Sequence, residues 1–285
     1  MRPIVASTPL AACLAALVNN PQQPESSETL AKGAYLGFDH NDYPGDENLP
    51  ALRKKYAFAG YWLNKPLGAA NNTWIGKRKL VQAAGFGFLV AFNGRTFAEI
   101  KSIGDPSKLG RSDGGTAVEA AKHEGFPPGT IIFLDQEEGG RLLPAQRGYL
   151  HAWINAVKAA SFEAGVYCSG IPAREALGAS VVTAIDIQQS GGGRKLGYWV
   201  SNDQCPPSPG CAFPPNPPMP AASGVAFAQV WQFAQSPRRS KFASDCKATY
   251  NKDGNCYPPG SYPQQLHVDL DSSTSADPSR SRTRD

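Results

Sequence analysis

The chain has 285 residues, 41% hydrophobic and 18% charged, which fits one large domain or two small ones with enough apolar residues for a sizeable core. Its net charge of +4, from 28 basic and 24 acidic residues, is too mild to argue for nucleic acid, and no Lys/Arg block interleaved with aromatics supports that class. The 29 Gly and 25 Pro point to turns and long loops rather than a helical bundle, and no apolar run approaches the roughly 20 residues of a membrane span.

Residues 1–30 read as an export signal and a polar linker. Arg2 is followed by a small, moderately apolar stretch to Val18, and Leu10-Ala-Ala-Cys13 has the look of a lipoprotein processing box. A single barrel-sized domain is expected over residues 31–272, and residues 273–285, poor in large apolar side chains, read as a disordered tail. Strand signals recur at Ala34–Asp39, Ala57–Leu63, Gly85–Phe92 and Thr130–Glu137, and again at Ala164–Cys168, Leu196–Val200, Ala226–Phe233 and His267–Leu270. Helices are expected between them. Trp74–Ala84 follows a cap at Asn72 or Thr73, and Gly115–His123 precedes the fourth strand. Pro144–Phe162 carries Leu150, Trp153, Ile154 and Val157 on one amphipathic face, and Ala173–Leu177 and Val181–Ile187 supply later turns. This alternation predicts an α/β fold of the (β/α)8 TIM-barrel type, irregular and short of helices in its last quarter. An open doubly wound sheet is the alternative, but Gly37-Phe-Asp-His-Asn41 is no phosphate-binding G-x-G-x-x-G loop.

The most informative stretch is Thr130-Ile-Ile-Phe-Leu-Asp-Gln-Glu-Glu-Gly-Gly140. Its apolar run suits a strand buried on both faces, ending in carboxylates. Alternation along the strand puts Asp135 and Glu137 on one face, about 7 Å apart. Two carboxylates so placed are costly unless they act, and a pair with split pKa values is what glycosidic bond cleavage requires. A helix cap and a salt bridge would explain the tetrapeptide equally well on its own. The other strand ends add weight: Asp39, Tyr61, Asn93, Tyr167, Trp199, Gln232, Asp269 and Asp271 join the pair at the C-terminal mouth of a barrel. Acids, amides and aromatics together suit a carbohydrate, with aromatic faces for sugar rings and amides for hydroxyls.

The cysteines add a compartment. Cys205 and Cys211 flank one loop, and Cys246 and Cys256 another, spacings that read as short-loop disulfides of an exported protein and lack the close pairs zinc favours. Cys168 reads as a buried free thiol. No H-E-x-x-H run, His/Cys cluster or G-x-S-x-G elbow is present, so neither a metal nor a cofactor is expected.

Gly37-Phe-Asp39, Phe133-Leu-Asp-Gln-Glu137, Gly165-Val-Tyr167, Val230-Trp-Gln-Phe233 and Val268-Asp-Leu-Asp271 together resemble the glycoside hydrolase family 25 lysozymes. With Phe58-Ala-Gly-Tyr-Trp-Leu63 and Gly85-Phe-Gly-Phe-Leu-Val90 they are closer still to the exported glycoside-hydrolase-like domain of actinobacteria, over roughly residues 33–272. The resemblance implies cleavage of peptidoglycan, with Glu137 the general acid, its pKa raised by burial and neighbouring carboxylates. Asp135 would be the anion that stabilises the oxocarbenium-like transition state or orients the substrate N-acetyl group, and Asp39 and Asp269 would bind substrate or tune the pair. Glu138 departs from the pattern and reads as a helix-terminal charge or a partner of Arg141 or Arg147. A carbohydrate-binding barrel without turnover, or a hydrolase of another glycan such as an amino-sugar polymer or α-glucan, stays open.

Overall fold

The computed structural model describes residues 33–202, 216–234 and 268–280. Eight strands close into a barrel: β1 (Tyr35–Asp39), β2 (Phe58–Trp62), β3 (Gly87–Asn93), β4 (Ile131–Gln136), β5 (Glu163–Ser169), β8 (Gly197–Ser201), β9 (Val230–Ala234) and β10 (Asp269–Ser273). Each of the eight runs read from the sequence seats one of these strands. The small hairpin β6 (Ala173–Arg174) and β7 (Ser180–Val181) stands outside the barrel. Neighbouring strands run parallel except at the closure, where β10 lies antiparallel to both β1 and β9.

Glycines on the inner face let large rings fill the lower barrel. A Cβ on Gly37 would fall 2.1 Å from the Phe58 ring, and one on Gly165 2.5 Å from that of Phe133. Phe58 and Phe133 are fully buried, and Phe133 meets Trp199 edge-on at 6.2 Å. This aromatic layer is a packed floor, as barrel interiors of this size require.

The helices are α1 (Leu49–Arg53), α2 (Arg78–Ala83), α3 (Phe97–Ile103), α4 (Pro106–His123), α5 (Pro144–Ala159) and α6 (Thr183–Ser190). α2 begins later than expected because the Asn72 side chain accepts from Trp74 N at 3.0 Å and holds a separate turn ahead of it. α4 is twice the expected length. Asp105 caps it by accepting from Lys108 N, and Pro106 opens it. Gly110 and Gly114 disguise its first half in the sequence. Their bareness lets α5 approach, since a Cβ on Gly110 would lie 2.2 Å from Tyr149 O. The helix expected at Ala173–Leu177 is instead β6 and a 3-10 turn, Ala176–Gly178, that reverses through Gly178 at φ 81. Glu175 N donates to Ala179 O across that reversal, a tertiary preference that overrides the alanine-rich propensity.

The tail expected from residue 273 is corrected as far as Arg280. Ser273 completes β10, and the chain then passes beneath the barrel and bonds to β3 and β4. Ile131 N donates to Ser279 O (2.7 Å), Ser279 N to Phe88 O (2.9 Å), Val90 N to Ser279 Oγ (2.7 Å) and Phe88 N to Asp277 Oδ1 (2.9 Å). Small polar residues order here through hydrogen bonds rather than apolar area, so composition hides it. The proposed export segment, Cys13 and the two cysteine pairs lie outside the described residues. Cys168 is a buried free thiol.

Ser279→Ala should leave the buried Val90 N–H without its acceptor and lower stability by about 1–3 kcal/mol, read as a lower urea midpoint at unchanged slope.

Candidate active site

The pleat sorts the strand-end residues. Registers across the sheet put Asp39, Trp62, Asn93, Asp135, Tyr167, Trp199, Gln232 and Asp271 on the inner face, several of them bonded across the barrel axis. Tyr61 is a correction. It faces outward, where its hydroxyl donates to Trp74 O at 2.7 Å, and its ring packs edge-on against Trp74, Phe88 and Phe126. The inward aromatic of that strand is Trp62, which the sequence could not separate from Tyr61 because both faces of the run are apolar. Asp269 and Asp271 reach the mouth by a route the parallel reading did not foresee. Because β10 is reversed, its N-terminal end lies there: Asp269 sits opposite Asp39, and Asp271 one pleat deeper, opposite Gly37.

A hydrogen-bond chain crosses the barrel axis. Tyr167 OH donates to Gln232 Oε1 (2.7 Å), and Gln232 Nε2 donates to Asp39 Oδ2 (2.7 Å). Asp39 is hydrogen-bonded to Asp271, whose Oδ1 also accepts from Trp199 Nε1 at 2.8 Å. Burial raises both carboxyls above the ordinary range, Asp271 the more, because the Asp39 charge adds to it. Two buried carboxyls in contact cannot both ionise, so the pair keeps one proton between them. Burial, with the nearby Glu137 and Asp135 charges, also keeps the Tyr167 phenol protonated as a donor.

Asp135 is set apart from this chain. It is 3% exposed, and among the described residues neither carboxyl oxygen has a hydrogen-bond partner. Burial raises its pKa well above the carboxylate range, and the charges of Glu137 and then Asp39 push it further. The burial expected of Glu137 thus falls on Asp135. β4 ends at Gln136, and Glu137, one residue beyond, is exposed to solvent.

Glu138 holds this exit in place. Its Oε2 accepts from Phe97 N, the first amide of α3, and from Gln146 Nε2 of α5, each at 2.7 Å. It is the helix-terminal charge expected, though of α3, and the expected arginines are engaged elsewhere. Arg141 pairs with Glu175 at 2.7 Å and with Asp186 at 3.2 Å, and Arg147 meets Asp186 at 2.9 Å. Arg95 is held by Asp113 at 2.8 and 3.1 Å. Asn93 Nδ2 donates to Lys65 O, while Asn64 and the Asn93 backbone exchange bonds at 2.7 and 2.9 Å. Beside Asp135 and Glu137 these loops leave a cavity of about 450 Å³, lined also by Asn64, Asn93, Arg95 and Glu138. Among the described residues no group of three or more His, Cys, Asp or Glu side chains could hold a metal ion. The arrangement offers one solvent-facing carboxylate beside one sealed carboxyl, over a floor of aromatic and amide groups.

Comparison with known proteins places this geometry. The sequence profile of the Rv2525c-like, glycoside hydrolase-like domain matches residues 54–204. No curated protein matches the chain. Among solved structures, an uncharacterised Bacillus stearothermophilus protein is 16% identical at a TM-score of 0.50, over 84% of this chain and 95% of that one. The Clostridium perfringens spore cortex lytic enzyme SleM is 13% identical at a TM-score of 0.50, over 85% of this chain and 68% of its own. The Mycobacterium tuberculosis Tat-secreted protein Rv2525c is 13% identical at a TM-score of 0.47, over 85% and 95%. At these identities the first two likenesses show a shared fold.

The raised carboxyls set a pH dependence of stability. A carboxyl whose pKa is higher folded than unfolded binds its proton more tightly in the native state, so stability is greatest below the ordinary carboxylate range and falls as pH rises toward the folded value. Asp271→Asn keeps an acceptor for Trp199 and a donor for Asp39 but cannot ionise. Its melting temperature should match wild type in acid and exceed it progressively toward alkaline pH, by about 2–4 °C for each kcal/mol relieved. A wild-type stability that rises over the same range would refute this account.

Proposed function

Since the chain belongs to the Rv2525c-like, glycoside hydrolase-like domain family, we propose that it hydrolyses a glycosidic bond in a cell-envelope polysaccharide, with peptidoglycan the first candidate. The observation that carries this reading is the meeting of Asp39, Asp135, Asp271 and Glu137 at the mouth of one closed barrel, beside a cavity with room for sugar units. SleM, which shares the fold, is a spore cortex lytic enzyme, and that supports an envelope substrate. Export through residues 1–30, and disulfides within the loops that carry Cys205, Cys211, Cys246 and Cys256, belong to the same proposal.

The roles follow from access. Only a solvent-facing carboxyl can touch the leaving oxygen, so Glu137 is assigned as general acid. It protonates that oxygen as the bond to the anomeric carbon breaks, and water then adds to the carbon as hydroxyl while its other proton returns to the Glu137 carboxylate. Asp135, sealed beneath, competes with Glu137 for a proton. When sugar covers the mouth, Glu137 loses solvent while Asp135 gains a polar neighbour, which shifts the proton toward the group that must donate it. Asp39 and Asp271 hold Gln232 and Trp199 as a fixed polar wall. A binding barrel without turnover is the second reading, and the sealed state of Asp135 is what favours it.

Purified peptidoglycan digested with wild-type protein should release fragments with new reducing ends. Glu137→Gln and Asp135→Asn should each slow release by roughly 100-fold or more with little change in melting temperature. Binding to peptidoglycan with no release by any of the three proteins would establish the second reading.

A further inference from the structure

The end of the barrel opposite the mouth carries two cavities. One, of about 620 Å³, is bordered by Arg78, Phe88, Phe126, Asp277 and Arg280. The other, of about 440 Å³, is bordered by Ile131, Lys195, Gly197, Gln229 and Arg280. Glu163 and Arg280 line both, so the two adjoin.

Arg78 lies in the first with donors unused. Its guanidinium carbon stands 4.8 Å from the centre of the Phe126 ring and 5.8 Å from that of Phe88, and both rings are buried. Stacking on two rings holds the planar group in one orientation. Its Nε is buried and has no hydrogen-bond partner among the described residues. No described carboxylate forms an ion pair with Arg78, Arg280 or Lys195, whereas Arg95, Arg141 and Arg147 meet theirs at 2.8, 2.7 and 2.9 Å. The acids that share the cavities are engaged elsewhere: Glu163 meets Lys158 at 3.6 Å, and Asp277 Oδ1 accepts from Phe88 N at 2.9 Å.

A guanidinium fixed flat, with its edge free, matches a phosphoryl group, which accepts from the planar fork at two oxygens. The number of cations decides between an ion and a chain. Arg78, Arg280 and Lys195 are spread along two adjoining cavities, and one phosphate would leave most of that length empty. A nucleic-acid strand would need aromatic faces open to its bases, and Phe86, Phe88 and Phe126 are all buried.

We propose that this end of the barrel binds a flexible polymer of phosphodiester-linked polyol or sugar units. Arg78 holds one phosphate, Arg280 and Lys195 the next, and the protein is tethered by the face turned away from its acidic mouth. The site stands apart from whatever chemistry the mouth performs.

The test is titration calorimetry of the full chain at moderate salt with four probes: a glycerol-phosphate hexamer, glycerol 1-phosphate, a thymidine hexanucleotide and phosphatidylglycerol vesicles. Wild type should bind the glycerol-phosphate hexamer at least roughly tenfold more tightly than the single unit, because both cavities are then occupied by one chain. Arg280→Gln removes an exposed side chain and leaves the backbone bond of that residue to Asp277 O in place, and it should weaken hexamer binding by roughly tenfold. Arg78→Lys keeps the charge and loses the fork, and should weaken it too. Lys101→Gln, on α3, should change nothing. Hexamer binding that survives Arg280→Gln, equal affinity for the single unit, or tighter binding of the nucleotide or the vesicles overturns the proposal. None of these readouts involves bond cleavage, so failure here leaves the hydrolase reading untouched.

Discussion

A carboxyl–carboxylate contact between the first and last strands of the barrel organises the rest of the molecule. Asp39 on β1 and Asp271 on β10 meet where the sheet closes on itself, and both are buried. Two acids can share such a position only if one keeps its proton. The pair therefore keeps one proton between them, Gln232 turns its amide nitrogen toward Asp39, and its oxygen accepts from the Tyr167 hydroxyl. A single proton thus ties β1, β5, β9 and β10 together across the axis.

Asp135 shows the opposite arrangement on the same inner face. It carries the same chemical group at a similar depth, yet among the described residues no donor reaches it. The acids of the mouth accordingly fall into a set bonded into the wall, Asp39 through Gln232 and Asp271 through its Oδ1 to Trp199, and one acid, Asp135, that no described donor reaches. Glu138 belongs to neither. By capping α3 and meeting Gln146 of α5, it anchors the short segment on which Glu137 stands, so the exposed acid sits on a loop pinned at two helices.

Much of this was legible in the sequence, and the exceptions have physical reasons. Apolar runs located the eight strands, and period-two alternation put Asp135 on the inner face. The order of burial within Asp135-Gln-Glu137 was not legible, because it depends on where the strand stops. Choosing Trp62 over Tyr61 was beyond any pattern in a run that is buried on both sides. The reversal of β10 left no trace either, since Asp269 and Asp271 keep the same parity in both directions. α4 hid behind Gly110 and Gly114, which lower helix propensity for the sake of close packing. The polar stretch from Ser275 to Arg280 hid because its order comes from backbone partners supplied by distant strands.

Those partners have a consequence for biosynthesis. The bonds from Val90 to Ser279 and from Phe88 to Asp277 each span 189 residues, and that from Gln232 to Asp39 spans 193. A chain emerging N-terminus first carries β1 and the lower ends of β3 and β4 as open edges until residues 269–280 have been made. Such long-range pairings close late, and unpaired edges invite association with other chains. The final residues of the barrel therefore act as a latch on synthesis: a chain stopped short of them has most of the apolar core and none of its closure, and should be handled by the cell as unfolded.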